Sequence, residues 1–466
     1  MEKTSVHEKP TVVVIMVPFP AQGHLNQLLH LSRLISDHAV PVHYVGSATH
    51  NRQAKIRVQG WNPETISTIH FHDLPLPPFS TPPPNPNSPI KFPDHLQPTF
   101  DATAHLRKPL ADLFKTLCTA SQRVAIIHDS LMSFAAQESD NYTNAEAFAF
   151  HSVSAYAYLS FEWEALGGHS DKHLKVSDLP PLSSEGCFSN RFMEFMARQL
   201  PMMASCTGHI YNTCRTLEGD YLNILAHENV WAIGPMNPIV LGYGDSDSHA
   251  RHTCLEWLDK QPEKSALYIS FGTNTAISDE QITELATGLE RSGQRFIWVV
   301  READRGDIFS QVESEMKGSE VDEEYEKKIR GRGVIVRDWA PQLEILAHPS
   351  TGGFLSHCGW NSCIESMSMG VPIAAWPMHS DQPRNAMLVT DVLRIGVTVR
   401  EWIRREEIVS AADVEGSVRK LMVSEEGKNV GRRAEELGVG IREAWLDGGC
   451  SHAELHSFIA HISRAV

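Results

Sequence analysis

Two doubly wound α/β domains, each a parallel sheet wrapped by helices and facing the other across a cleft, make up the fold class that this sequence predicts. Three observations carry the expectation. β-Branched apolar runs alternate with stretches of helical period. The alternation occurs twice, on either side of a Gly-, Ser- and Asp-rich stretch. The chain, 466 residues with 42% apolar content, is long enough for two ordinary cores.

The first element, Thr11 to Val17 (TVVVIMV), is continuous and β-branched, as a strand covered on both faces should be. The turn PFPAQGH stops it, and Leu25, Leu28, Leu29, Leu34 and Ile35 then recur at helical spacing. Further strands are expected at Val40 to Gly46, at Arg123 to Ser130 and in VWAIGP. Asp73 to Pro98 carries ten of the chain's 27 prolines, which excludes regular helix and central strand. A loop that long is commonly functional, and its Leu76, Phe79, Ile90 and Phe92 would suit a wall for an apolar ligand.

Val240 to Arg251 (VLGYGDSDSHAR) reads as the domain boundary. Its DSD triplet resembles a metal-binding pattern but sits in a linker and caps no strand, so it reads as solvated charge. The second half repeats the alternation. Strands are expected at Ala266 to Phe271, Arg295 to Val300, Gly333 to Trp339, Gly352 to Ser356 and Val371 to Pro377, with helices at Ser278 to Arg291, from about Asn361 and from about Gln382. Val312 to Lys328 is charged and interrupts the pattern as a surface insertion.

Composition excludes several function classes. Lys and Arg number 41 against 57 Asp and Glu, a formal charge of −16, which disfavours nucleic acid and anionic membrane surfaces as partners. The eight cysteines contain no CxxC pair and read as reduced thiols. The N-terminal MEKTSVHEKP is polar and the apolar run after it is too short for a signal core or a membrane span, so a cytoplasmic protein is expected. NYT at Asn141 then reads as a chance sequon.

In doubly wound sheets the working residues stand at the C-terminal ends of the strands. FLSHCGWNSCIES, Phe354 to Ser366, is such a junction: an apolar run, then small polar residues, then a helical pattern. A helix start offers unpartnered N–H groups and the positive end of the dipole, a seat for a phosphate. The plainer reading is an N-cap at Asn361 or Ser362. SFGT is a second strand-to-loop junction, placing Ser270 and Thr273 where a phosphate could approach. His24 follows the first strand, and an imidazole is the side chain best matched to accept a proton near neutral pH. Asp129 ends a neighbouring strand, where it would either orient that imidazole or serve as a turn residue.

Neither GxGxxG after a strand nor GxxxxGK[ST] is present, which disfavours a dehydrogenase or a P-loop enzyme. What stands out is the block Trp339 to Gln382, containing WAPQ, HCGWNS, the Glu of CIES and WPMHSDQ. This block resembles the signature box of plant UDP-sugar-dependent glycosyltransferases. HYVGSATHNRQAKIR, STPPPNPNSP, IYNTCR and SFIAHISR extend the likeness over nearly the whole chain, and are most similar to the zeatin O-glucosyltransferases.

The resemblance implies a GT-B fold: an acceptor-binding domain over 1–240, a linker over 241–251, a UDP-sugar domain over 252–450, and a last helix over 451–466 that crosses back to the first domain. It implies uracil stacked on Trp339 with edge contacts at Ala340 and Gln342, diphosphate at His357, Asn361 and Ser362 with Ser270 and Thr273, and ribose at Glu365. Asp381 and Gln382 would meet the sugar hydroxyls under Trp360, and Gln382 favours glucose. His24 falls on the catalytic-base position, with Asp129 behind it. The implied reaction inverts the anomeric centre, uses UDP-glucose as co-substrate, and needs no cofactor or metal. The acceptor would be a small hydrophobic alcohol or phenol held by Phe79, Phe148, Phe150, Tyr156, Phe161 and Trp163 of a monomer.

Zeatin is the expected acceptor, with a flavonoid or other phenolic or terpenoid as the alternative and UDP-xylose as an alternative donor. A UDP-sugar epimerase and a non-catalytic UDP-sugar sensor are the readings from other classes. Two departures from the family pattern, SEVDEEYEKKIRG before Gly333 and Asn274 in the SFGT loop, are expected to alter loop geometry and to spare the base and the diphosphate donors.

Overall fold

Seven parallel strands build the first sheet of the computed structural model: β1 (Val12–Val17), β2 (Val42–Gly46), β3 (Ile69–Asp73), β4 (Arg123–Asp129), β5 (Ala145–His151), β6 (Gly208–Tyr211) and β7 (Val230–Ala232). Their order is β3-β2-β1-β4-β5-β6-β7. The second sheet, also parallel, contains β8 (Ala266–Ser270), β9 (Arg295–Val299), β10 (Gly333–Val336), β11 (Thr351–Ser356), β12 (Ile373–Ala375) and β13 (Gly396–Thr398), in the order β10-β9-β8-β11-β12-β13. The described residues are 11–63, 66–167, 182–226, 229–239, 251–309 and 323–464. The expected linker and its DSD triplet therefore lie outside them, Arg251 apart.

Both sheets reverse their winding beside the first strand, between β1 and β4 and between β8 and β11. Period-two alternation divides each strand between two cores. Val12, Val14 and Met16 of β1 face one cluster with Leu28 and Tyr44, while Val13, Ile15 and Val17 face another with Leu110 and Phe114. In β8, Leu267 and Ile269 face one layer and Ala266 and Tyr268 the opposite one. Among the described residues no helix is long and apolar enough to cross a membrane.

Four strands were not visible as such in the sequence. β3 reads IHFHD, a polar edge strand; β5 reads AEAFAFH, where alanines hide the pattern; β6 and β13 are four and three residues long. The proline-rich stretch is helical at its end, over Asp94–Leu96 and Gln97–Ala102, once Pro93 has been passed.

The last helix, Cys450–Ile462, lies on the first sheet, with Leu455, Phe458 and Ile462 on one stripe. Phe458 packs edge-on against Phe148 and Trp231, each at 5.2 Å between ring centroids. This corrects the expected acceptor wall: Phe148 and Phe150 point beneath this helix into a closed core, because both lie on the face of β5 turned toward it. Tyr156 is likewise buried, against Tyr221, in a cluster shared by residues of both halves. Trp360, expected over the sugar ring, belongs to that cluster and donates its indole N–H to the Asn212 carbonyl at 2.9 Å.

Truncating Phe458 removes a ring from this closed core. Phe458→Ala is expected to cost about 3 to 5 kcal/mol of stability, read as a lower denaturation midpoint in urea; an unchanged midpoint would contradict the packing role.

Candidate active site

The helix Gln22–Ser36 starts five residues after β1 ends and carries His24 in its first turn, while β4 ends on Asp129 beside it. His24 Nδ1 donates to Asp129 Oδ2 at 2.7 Å. The same carboxylate accepts from the Ser152 hydroxyl at 2.7 Å and from the Leu131 N–H at 2.9 Å. Burial alone would raise the pKa of Asp129, but the imidazole and these donors outweigh it and hold the carboxyl below its ordinary value. For His24 burial alone would lower the pKa, and the Asp129 charge and hydrogen bond turn the net shift upward. With its Nδ1–H committed, neutral His24 keeps its lone pair on Nε2, and the side chain is 25% exposed. Such a pair can take up a proton.

The second lobe repeats the geometry. After β8 the chain turns at Gly272 with φ +77°, where a Cβ would stand 2.6 Å from His357 Nε2. After β11, Cys358 takes φ 63°, a left-handed conformation costly for a side-chain-bearing residue; Asn385 Nδ2 holds its carbonyl at 3.0 Å. The helix Trp360–Ser368 follows with Gly359 at its N-cap and no side chain capping it. The plainer N-cap reading of Asn361 and Ser362 is thereby set aside. The first-turn N–H groups, which have no intrahelical partner, open toward a cavity of about 140 Å³.

That cavity brings together Ser270, Thr273, Trp339, Ala340, Gln342, His357, Asn361, Ser362 and Glu365, all expected from the sequence. Burial keeps His357 neutral, with its pKa near 4 despite a hydrogen bond to the Ser270 carbonyl. Glu365 is pushed up to about 7 by burial, which a 2.8 Å hydrogen bond from Gln342 Nε2 only partly opposes. Gln342 is also bonded to the Tyr268 and Ser362 hydroxyls, at 3.2 and 3.1 Å, so its amide orients Glu365. Asn274, expected to spare the diphosphate donors, instead accepts the Thr273 hydroxyl at 3.1 Å.

Asp381 and Gln382 stand at the start of the helix Gln382–Met387. Asp381 is pushed up to about 6 by burial, offset in part by Asn385 Nδ2 at 2.6 Å and by the charge of His24. Gln382 departs from expectation: its Oε1 accepts the backbone N–H groups of Met378 and His379 at 2.9 and 3.0 Å, and the side chain is buried. It braces the turn before it rather than offering its carbonyl outward.

Of the remaining expected aromatics, Phe161 lies under the Arg384 guanidinium at 3.7 Å, Trp163 packs on the cluster shared by the lobes, and Phe79 lies against Gly306 of the second lobe. The rings nearest the imidazole are others: Phe19 sits edge-on to His24 at 5.1 Å and touches Phe100 and Phe195 at 4.6 and 5.9 Å. Phe19 stands in the PFP turn after β1 and Phe195 pairs at i, i+3 with Phe192, the signals from which they could have been found.

First-lobe residues were missed more broadly. Gln22, Asn26 and His30, one face of the first helix, line the cavity, as does Gln59. Gln59 accepts from the Leu343 N–H at 3.0 Å and donates to the Ala340 carbonyl at 3.4 Å. Arg57 lies over the Trp339 ring at 4.7 Å while paired with Asp304, Nη2 to Oδ1 at 3.1 Å. Asn361 Nδ2 donates to the Gly23 carbonyl at 2.8 Å, joining the two strand-end loops.

Two parallel-sheet lobes, with an imidazole–carboxylate pair facing an uncapped helix start, define a nucleotide-sugar glycosyltransferase of GT-B fold. The glycosyltransferase N-terminal domain family matches residues 10–238, and the UDP-glucoronosyl and UDP-glucosyl transferase family matches residues 234–432. The chain is 51% identical to a zeatin O-glucosyltransferase of Phaseolus lunatus, over 99% of each chain. It is 48% identical to a zeatin O-xylosyltransferase of Phaseolus vulgaris, over 99% of this chain and 100% of the relative. A UDP-bound transferase of Siraitia grosvenorii superposes with a TM-score of 0.73 at 26% identity, covering 97% of this chain and 100% of that one. The chain belongs to the plant UDP-glycosyltransferase family, and UDP-sugar is the co-substrate of that family.

With His24 as the proton acceptor, its raised pKa predicts a kcat/KM that rises with pH along a limb centred above 6.5. Asp129→Asn removes the cause of the upward shift, so the limb should move to lower pH while turnover drops about 10²-fold or more; a pH–rate profile with an unmoved limb would contradict the coupling.

Proposed function

We propose that this protein is an inverting, UDP-glucose-dependent O-glucosyltransferase acting on the hydroxyl of a small hydrophobic acceptor, a cytokinin side-chain hydroxyl of the zeatin type. The observation that carries the reading is the 2.7 Å His24–Asp129 hydrogen bond placed opposite the uncapped start of the helix Trp360–Ser368.

In this scheme the acceptor O–H gives its proton to His24 Nε2 as the oxygen attacks the anomeric carbon. The bond from that carbon to the phosphate oxygen breaks on the far side, and the α-linked donor yields a β-glucoside and UDP. Asp129 stabilises the imidazolium without taking its proton. The departing diphosphate is met by the helix N–H groups and by Ser270, Thr273, His357, Asn361 and Ser362. Hydrogen bonds to a charged group are worth about 1.5 to 3 kcal/mol each, against about 0.3 to 1 for a dipole at an exposed terminus, so the directed donors dominate. They supply the charge compensation that a metal would otherwise provide. Trp339 and the backbone of Ala340 take the base, and Glu365, held by Gln342, takes the ribose hydroxyls. Asp381 faces the sugar.

Glucose and zeatin rest on the relatives' named activities, and the 48% identity to a xylosyltransferase supports UDP-xylose as the second donor reading. Mass spectrometry of reactions containing UDP-glucose or UDP-xylose with a panel of cytokinins and phenolics tests the proposal. A zeatin O-glucoside is expected; free sugar products without an acceptor would indicate an epimerase, and no product a sensor.

His24→Ala should lower turnover by about 10² to 10⁴ while UDP binding, measured by calorimetry, stays nearly intact. Glu365→Ala should instead raise the KM for the donor about tenfold, the order of one charged hydrogen bond, with Glu365→Gln intermediate. Full activity in either alanine variant removes that residue from its role.

A further inference from the structure

Asn385, fully buried on the helix Gln382–Met387, is held by both lobes. Its Nδ2 gives one N–H to the Cys358 carbonyl at 3.0 Å and the other to Asp381 Oδ2 at 2.6 Å, while its Oδ1 accepts the Ser154 hydroxyl of the first lobe at 2.9 Å. These partners fix which way the amide points. A carbonyl and an ionised carboxyl only accept, so the nitrogen faces them and the oxygen faces the hydroxyl. Ser154 is fixed in turn: as N-cap of the helix Ala155–Ala165 it accepts the Ala157 N–H at 3.0 Å, which leaves its one proton for Asn385.

The same first-lobe helix grips the neighbouring residue. Arg384, with no exposed surface, donates from Nε to the Ser160 hydroxyl at 2.9 Å and from Nη2 to Glu164 at 2.5 Å. The turn before that helix also serves the imidazole pair, since Ser152, two residues before Ser154, donates to Asp129 Oδ2 at 2.7 Å. One backbone segment after β5 therefore holds the carboxylate behind His24 and, through Asn385, the carboxyl of Asp381. The other two carboxyls of the cleft are served within one lobe, Asp129 by His24, Ser152 and Leu131 of the first and Glu365 by Gln342 of the second. Asp381 differs: its donor is itself anchored in the opposite lobe.

We propose that Asn385 is a positioning residue for the donor sugar: anchored by Ser154 and Cys358, it sets the Asp381 carboxyl at the place where the sugar hydroxyls meet it. The inference rests on Asp381 facing the sugar, as in the scheme above. Removing the amide leaves Asp381 Oδ2 without this donor, and a hydrogen bond lost beside a charged group is costly. UDP, which carries no sugar, has nothing to lose at Asp381.

The test is calorimetric binding of UDP-glucose and of UDP to the full-length protein, unsubstituted and as Asn385→Ala, Asp381→Ala and the double variant. Asn385→Ala should bind UDP-glucose about tenfold more weakly, the order of one hydrogen bond to a charged group, with UDP affinity unchanged. The double variant should bind UDP-glucose no more weakly than Asp381→Ala, because the two residues act as one unit. Losses that multiply in the double variant, a parallel fall in UDP affinity, or a loss in Asp381→Ala without one in Asn385→Ala would overturn the positioning role alone. An unchanged UDP-glucose affinity in Asp381→Ala would instead remove Asp381 from the sugar, and with it the reading on which the proposal stands. If Asn385→Ala does not fold, Asn385→Asp, which keeps the volume and the acceptor for Ser154 but gives up both N–H donors, is judged by the same outcomes.

Discussion

The hydrogen bond from the Asn361 amide to the Gly23 carbonyl, 2.8 Å long, joins two loops that sheet topology has already opened. In a doubly wound sheet the connections leaving the two central strands run to opposite faces, so the chain ends of those strands stand apart and leave a crevice. Each lobe has one such crevice, at β1/β4 and at β8/β11. Asn361 follows β11 and Gly23 follows β1, so this one contact sets the His24–Asp129 pair and the uncapped helix start against each other. His24 adjoins Gly23 directly, and any change in the approach of the lobes is felt at both sites.

Three carboxyls, Asp129 fully buried and Asp381 and Glu365 partly so, behave differently because their partners differ. Asp129 has an imidazole, a hydroxyl and a backbone N–H and stays ionised. Asp381 has one amide and a more distant imidazole, and its pKa rises to about 6. Glu365 has the Gln342 amide alone and rises to about 7. Desolvation acts on all three, and the number and charge of the donors decides the outcome. A charged Asp129 beside His24 raises imidazole basicity, while burial leaves His357, beside the helix start, without a fixed positive charge.

Motif spacing carried most of the second-lobe lining of the cavity. His357, Asn361, Ser362 and Glu365 lie in one strand–turn–helix unit, so local geometry brings them together, while Trp339 follows β10, three places from β11 in the sheet, and joins them through the sheet order. His24 and Asp129 were legible for the same reason, each standing at the end of a strongly apolar strand. The aromatic assignments failed because a run such as AEAFAFH states that alternate residues share a face without stating which face meets the cleft. Trp360 and Gln382 were misplaced similarly: each lies in the right motif, but packing between lobes took the indole and a tight turn took the amide.

By itself the sequence determined the two α/β halves, the strand-end location of the site and the chemistry of its donors, since these follow from periodicity, backbone propensity and residue type over short spans. Tertiary structure alone decided which first-lobe residues reach the cavity, which rings flank His24, and that Asn361 meets Gly23 across 338 positions. These pairings depend on how two separately folded sheets approach and on where the returning helix lands. That approach is set by the summed packing of many side chains, and no local pattern encodes it.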